Sequence, residues 1–147
     1  MQKKIFLYTM SVLIITLIIS AIFTGGTVEK LYLSNIEEKL ITQSYLLSEM
    51  LSDDTESANI QSIQTEITEI GKKLHARITV IDTSGKVLGE TNFDPATMEN
   101  HLSRPEIQKA MTGATGMQTR YSTTAATDYM YIAQPIYYDA SLVGVVR

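Results

Sequence analysis

The side chains with the most chemical reach lie in the last third of the chain. His101 and Arg104 stand three apart, so a helix would set them on one face, and Arg120 falls in a strand-like run. Tyr129 and Tyr131 alternate along a further strand and share one of its faces. Two guanidiniums and an imidazole could hold a carboxylate or phosphate through charge-assisted hydrogen bonds, with the tyrosines beside them. The same residues have ordinary structural uses. Arg104 could pair with Glu99 or Glu106, Arg120 with Asp128, the tyrosines could fill a core, and His101 could cap a local turn. Reaction chemistry is not indicated. No His/Cys/Asp cluster has zinc spacing, and no Ser/His/Asp set or paired carboxylates stand out. Gly113-Ala-Thr-Gly116 lacks the Lys and the strand–loop–helix setting of a phosphate loop. The expectation is a chain with no catalytic residue, no metal and no cofactor of its own.

Whatever positions those residues sits behind an uncharged stretch. Residues 5–28 contain no Asp, Glu, Lys, Arg or His and are rich in Ile, Leu, Val and Phe. Crossing a bilayer core takes roughly 20 apolar residues in helix. Lys3 and Lys4 precede the run and Glu29 is the first charge after it. By the positive-inside rule, residues 1–4 are expected to be cytoplasmic, residues 5–28 to span the cell membrane once, and residues 29–147 to lie outside. A cleaved signal peptide has the same polarity, but its apolar region is shorter and ends in a small-x-small site that Ala21-Ile22-Phe23 fits poorly, so an uncleaved anchor is expected. Thr16, Ser20 and Thr24, with Ala21 and Gly25, give small residues at four-residue spacing that permit close approach of another membrane helix.

The part outside carries ten basic and sixteen acidic residues, a net −6, which is the wrong sign for a nucleic-acid binder. Its charge is uneven: 29–69 holds nine acids against Lys30 and Lys39, while 70–147 is nearly neutral. With no cysteine there is no disulfide or thiolate site, so about 120 residues must hold one compact domain by core packing alone.

Along the chain, the helical pattern continues outside the membrane. Leu33, Ile36, Leu40, Leu47 and Met50 recur at helical steps, which predicts an amphipathic helix over about 29–51. Ser52-Asp53-Asp54-Thr55 marks a turn or a new cap. Ile60, Ile63, Ile67, Ile70 and Leu74 predict a second helix over about 57–75. From Arg77 the period changes to that of a strand, with a hairpin over 77–89 turning at Thr83-Ser84-Gly85-Lys86. Asp94-Pro95 opens a short helix, and Ser103-Arg104-Pro105-Glu106 reads as a capping box for a helix that stops at Gly113. Strands follow over 117–123, 129–136 and 142–146, with Pro135 at a strand end or edge. The order predicts an α+β domain, a five-stranded antiparallel sheet over 77–147 with helices on one face.

That order behind a membrane helix resembles the PDC/Cache-type, PAS-like sensor domains of bacterial receptors. The strings Arg77-Ile-Thr-Val-Ile-Asp-Thr-Ser-Gly-Lys-Val-Leu88, Met98-Glu-Asn-His-Leu-Ser-Arg-Pro-Glu-Ile107, Met130-Tyr-Ile-Ala-Gln-Pro-Ile136 and Gly144-Val-Val-Arg147 are similar to the external segment of PhoR-type phosphate-regulon sensor histidine kinases. So are Gly113-Ala-Thr-Gly116 and Arg120-Tyr-Ser122. The resemblance covers residues 70–147 by motif and 1–69 by hydropathy and helix order. It implies a single-Cache domain and a small ligand between the central strands and connecting helices. It also implies a second membrane helix after Arg147, followed by kinase modules that use ATP and a cognate response regulator. Neither His75 nor His101 lies in a phosphoacceptor box, so the chain itself is expected not to be an enzyme but the input fragment of one.

The resulting expectation is a homodimeric, membrane-anchored signal-input domain responding to a small anion or a membrane-protein partner. The rival expectations are the input domain of a chemoreceptor or cyclic-dinucleotide enzyme, and a non-signalling anchored binding module.

Overall fold

The computed structural model describes residues 2–122 and 127–147. Two units are distinguished, residues 1–38 and 39–147. The first unit is helical throughout its described residues and belongs to α1, Gln2–Met50, one helix long and apolar enough to cross a membrane. Its apolar side chains, from Ile5 to Phe23, stand exposed. Thr9, Ser11, Thr16, Thr24 and Thr27 donate their hydroxyls to carbonyls three or four residues back, so these polar groups are satisfied within the helix itself.

In the second unit, the end of α1 is followed by α2 (Ser52–Glu56), α3 (Ile60–Leu74), β1 (Thr79–Asp82), β2 (Val87–Glu90) and a 3-10 turn (Pro95–Thr97). Then come α4 (Pro105–Met111), β3 (Gly116–Ser122), β4 (Thr127–Tyr138) and β5 (Ser141–Val146). The Ser52–Thr55 cluster, expected to mark a turn or a new helix cap, lies within the short helix α2 that starts there. Its C-terminal Ser57 sends both its amide and its hydroxyl to the Asp53 carbonyl. The second helix opens at the Asn59 N-cap, whose side chain accepts from the Ser62 amide, and closes on His75 in the left-handed conformation. The strand expected over 117–123 runs to Ser122, and Thr123 lies outside the described residues.

The five strands form one antiparallel sheet in the order β2-β1-β5-β4-β3, the α+β fold that the sequence predicts, but helices cover both of its faces rather than one, because α4 packs opposite α1 and α3. Alternation along the strands divides the core in two. Val80 and Val146 point to one face with Leu88 and Ile136, and Leu47, Leu51, Ile63 and Ile67 of α1, the segment after it and α3 cover that face. Ile81 and Val145 point to the other, against Ile107 and Ala110 of α4. The apolar seam at the end of α1 differs by one residue from its expected position: Met50 is exposed, and Leu51 is fully buried. β2 is an edge strand, and Gln64 of α3 blunts it by donating to the Glu90 carbonyl and accepting from the Glu90 amide.

Candidate functional site

The sheet register decides which polar side chains can meet. Gly116 pairs with Ala133, so Gln118 and Arg120 share their side of the sheet with Tyr129, Tyr131 and Ala133. Ala133 packs in the α4 core, which assigns this row to the α4 face. By the same alternation, Arg147 follows Val145, and Arg77 and Thr79 precede Ile81. Three arginines therefore converge on one face of the sheet.

Two buried carboxylates meet them. Glu90, 1% exposed, accepts from Nε and Nη2 of Arg77 at 3.0 and 3.1 Å, from the Thr79 hydroxyl at 2.7 Å and from the Asn92 amide at 3.1 Å. That carboxylate is saturated, as a buried charge must be. Glu106 of α4, also 1% exposed, is shared by Arg120 and Arg147: Arg120 donates to its Oε1, and Arg147 Nε stands 3.0 Å from the same oxygen. The Arg147 approach is off the hydrogen-bonding line, so its Nε has no hydrogen-bond partner, nor do Arg120 Nε and Glu106 Oε2. Both guanidiniums also lie over the Tyr131 ring, at 4.7 Å for Arg120 and 4.1 Å for Arg147. Burial, and then the neighbouring Arg120, pull Arg147 below its ordinary range against the opposing pull of Glu106, but a guanidinium stays cationic.

Of the five residues singled out in the sequence, three come together. Arg120, Tyr129 and Tyr131 form one patch, with the tyrosine rings 6.3 Å apart. Arg120 pairs with Glu106 rather than Asp128. His101 and Arg104 belong instead to the loop that leads into α4. The His101 amide donates to the Gly85 carbonyl, Asn100 Nδ2 donates to the Ser84 carbonyl, and His101 Nδ1 donates to the Glu99 carbonyl at 2.8 Å. The His101 backbone and the Asn100 side chain thus clasp this loop to the β1–β2 turn, while the buried His101 ring bonds within the loop. Burial above all, and then Arg147, Arg104 and Arg77, hold it below the ordinary histidine range. Arg104 is the N-cap of α4, with Pro105 at N1 and no side-chain cap bond. The capping box expected at Ser103 and Glu106 is therefore not formed, because Glu106 turns inward to the arginines.

Sequence reasoning missed Glu106, Arg147, Arg77 and Glu90. A Glu two residues after an Arg-Pro helix start looks like a capping residue, and only the register of distant strands brings two arginines to it. Beside this cluster lies a cavity of about 570 Å³, within the usual range for small-molecule sites. Its lining includes Tyr129, Tyr131, Arg77 and Arg147 from the α4 face, and Ile132 and Val146 from the helix face. Leu40, Ser44 and Leu47 of α1 complete one side.

Solved structures share this architecture. The sensor domain of the V. cholerae histidine kinase DctB superposes with a TM-score of 0.62 at 22% identity, over 77% of this chain and 49% of that one. The ligand-binding domain of Mlp24 with asparagine aligns with a TM-score of 0.39 at 15% identity, over 77% of this chain and 57% of that one. The chain spans about half the length of these structures. No curated protein matches it in sequence. The pattern of a single Cache-like domain runs over residues 30–147, and the chain belongs to the single Cache-like family.

Proposed function

We propose that this chain is the extracytoplasmic signal-input part of a membrane sensor histidine kinase of a two-component system, of the phosphate-starvation type. The observation that carries the reading is α1: one helix holds both the membrane-spanning stretch and Leu47, which belongs to the sensor core. A signal that repacks the core against the end of α1 acts on the same helix that enters the membrane. Displacements of about 1–2 Å are enough to bias two packed states. Lys3 and Lys4 favour a cytoplasmic N-terminus, which leaves residues 29–147 outside. The likeness to the DctB sensor domain agrees with a kinase output, and the strings shared with PhoR-type kinases favour the phosphate-starvation class. The working unit is a homodimer, and its input is a small anion or a membrane-protein partner.

The test is the reading frame beyond Arg147, followed by autophosphorylation of the full-length product in membranes. A second apolar run, a His-Glu-x-x-Thr-Pro box and ATP-dependent labelling that changes on phosphate limitation are expected. A methyl-accepting coiled coil or a cyclase in that frame would sink the kinase reading.

A further inference from the structure

The cavity beside the arginine cluster combines two properties that the pairings within the domain leave unmatched. Its wall is largely apolar, built from Leu40, Leu47, Leu74, Ile78, Phe93 and Ile132. Its polar end is cationic, since Arg77 and Arg147 both line it. Around that end three guanidiniums, of Arg77, Arg120 and Arg147, are opposed by only two buried carboxylates, Glu90 and Glu106. Glu90 is saturated by Arg77, Thr79 and Asn92, so the surplus positive charge falls on the Arg120–Glu106–Arg147 group. There the side chain of Arg147 is 8% exposed, its Nε is turned to Glu106 Oε1 at 3.0 Å, and it shares that one carboxylate with Arg120 while lining the cavity. A largely buried cation that shares its counter-charge, at the wall of a cavity, favours an anion beside it.

We infer that this cavity binds a monoanionic amphiphile, with its carboxylate-type head group at Arg147 and its apolar body along the α1 and α3 side chains. A purely inorganic anion would leave the apolar wall in contact with water, and a neutral hydrocarbon would leave the surplus charge uncompensated. The occupant would touch Leu40, Ser44 and Leu47 of α1, so binding and the packing of that helix are linked. This goes beyond the sensor-kinase reading, because it concerns binding by this chain whatever output it serves.

The full chain, held in phosphatidylcholine nanodiscs, is titrated with carboxyl-13C decanoate, and with decanol and acetate for comparison. Empty discs give the bilayer background. Decanoate is expected to show a protein-dependent carboxyl shift and to raise Tm by several degrees, while decanol and acetate do neither. Arg147→Gln should weaken decanoate roughly tenfold or more. Ala76→Phe, which fills the cavity at a half-buried position and leaves the ion cluster intact, should abolish binding with the fold retained. Equal effects of decanol and decanoate, a carboxyl signal no different from that of empty discs, or undiminished binding by Ala76→Phe would each overturn the inference. No kinase output is measured, so failure of the sensor-kinase reading would leave these results unaffected.

Discussion

Removing the Glu106 carboxylate would leave Arg147 buried beside Arg120 with no counter-charge between them. Breaking a buried pair by deleting one partner costs about 3–5 kcal/mol, far more than losing a surface ion pair. Glu106→Gln should therefore lower the denaturation midpoint strongly, whereas Glu56→Gln, at an exposed site on α2, should be nearly neutral. Urea unfolding monitored by circular dichroism distinguishes the two. His101 sets a pH dependence whose sign follows from its environment. Its folded-state value lies below the ordinary 6.5, so the unfolded chain binds the proton more readily. The stability this provides is complete above about pH 6.5 and is lost as pH falls through the depressed folded value. Tm measured against pH should fall across that window in the parent and be flatter in His101→Gln. At this scale the sequence was only partly informative. It named Arg120 and Tyr131, but it set Arg104 beside them and offered Asp128 as the partner of Arg120, and it passed over Arg147. Pairing across strands far apart in sequence leaves no local signature.

At the scale of elements the reading was more complete. Helical periodicity located α3, strand alternation located the sheet, and the position of the β1–β2 turn followed from Ser84-Gly85. Two features were hidden for a definable reason. The α2 helix is too short to show a period. The two-sided cover of the sheet depends on α4, whose seven residues bury only Ile107 and Ala110 as apolar side chains, beside the charged Glu106. α4 approaches β3 closely at Gly116, where an added Cβ would run into the backbone carbonyl of Glu106. Backbone cannot yield as a side-chain tip can. Gly116→Ala should thus cost at least the 1–3 kcal/mol typical of overpacking and disturb the Glu106 site with it. By contrast, Gly26→Ala in α1 meets nothing within 4 Å and should leave the thermal midpoint unchanged or slightly raised. Thermal melts of the two variants side by side check the contrast.

For the whole molecule, the amino-acid sequence supplied a stretch long and apolar enough to cross a membrane and the class of the domain that follows it, and the family match agrees with the latter. The orientation expected from Lys3 and Lys4 and the expected homodimer depend on the bilayer and on a second copy. The absence of cysteine makes both measurable by single substitution. In intact cells, Glu56→Cys should react with a membrane-impermeant maleimide and Gln2→Cys should not, and the reverse pattern would invert the proposed topology. Tyr45, Leu46 and Met50 are exposed at the end of α1 and give a homodimer an apolar strip to bury. Leu46→Cys is expected to form a disulfide-linked dimer on mild oxidation in membranes, and a strictly monomeric product would count against the homodimer.

Tyr131, held under two guanidiniums on a half-buried strand, has a further use. The chain has eight tyrosines and no tryptophan, so its near-ultraviolet optical activity comes almost wholly from phenol rings in fixed asymmetric surroundings. A half-buried ring with two guanidiniums over it has such surroundings, while the exposed tyrosines of α1 and of the strand ends contribute little. The protein thus carries a native chromophore at the heart of its charged cluster, and the occupancy of that cluster can be followed by spectroscopy without any attached dye.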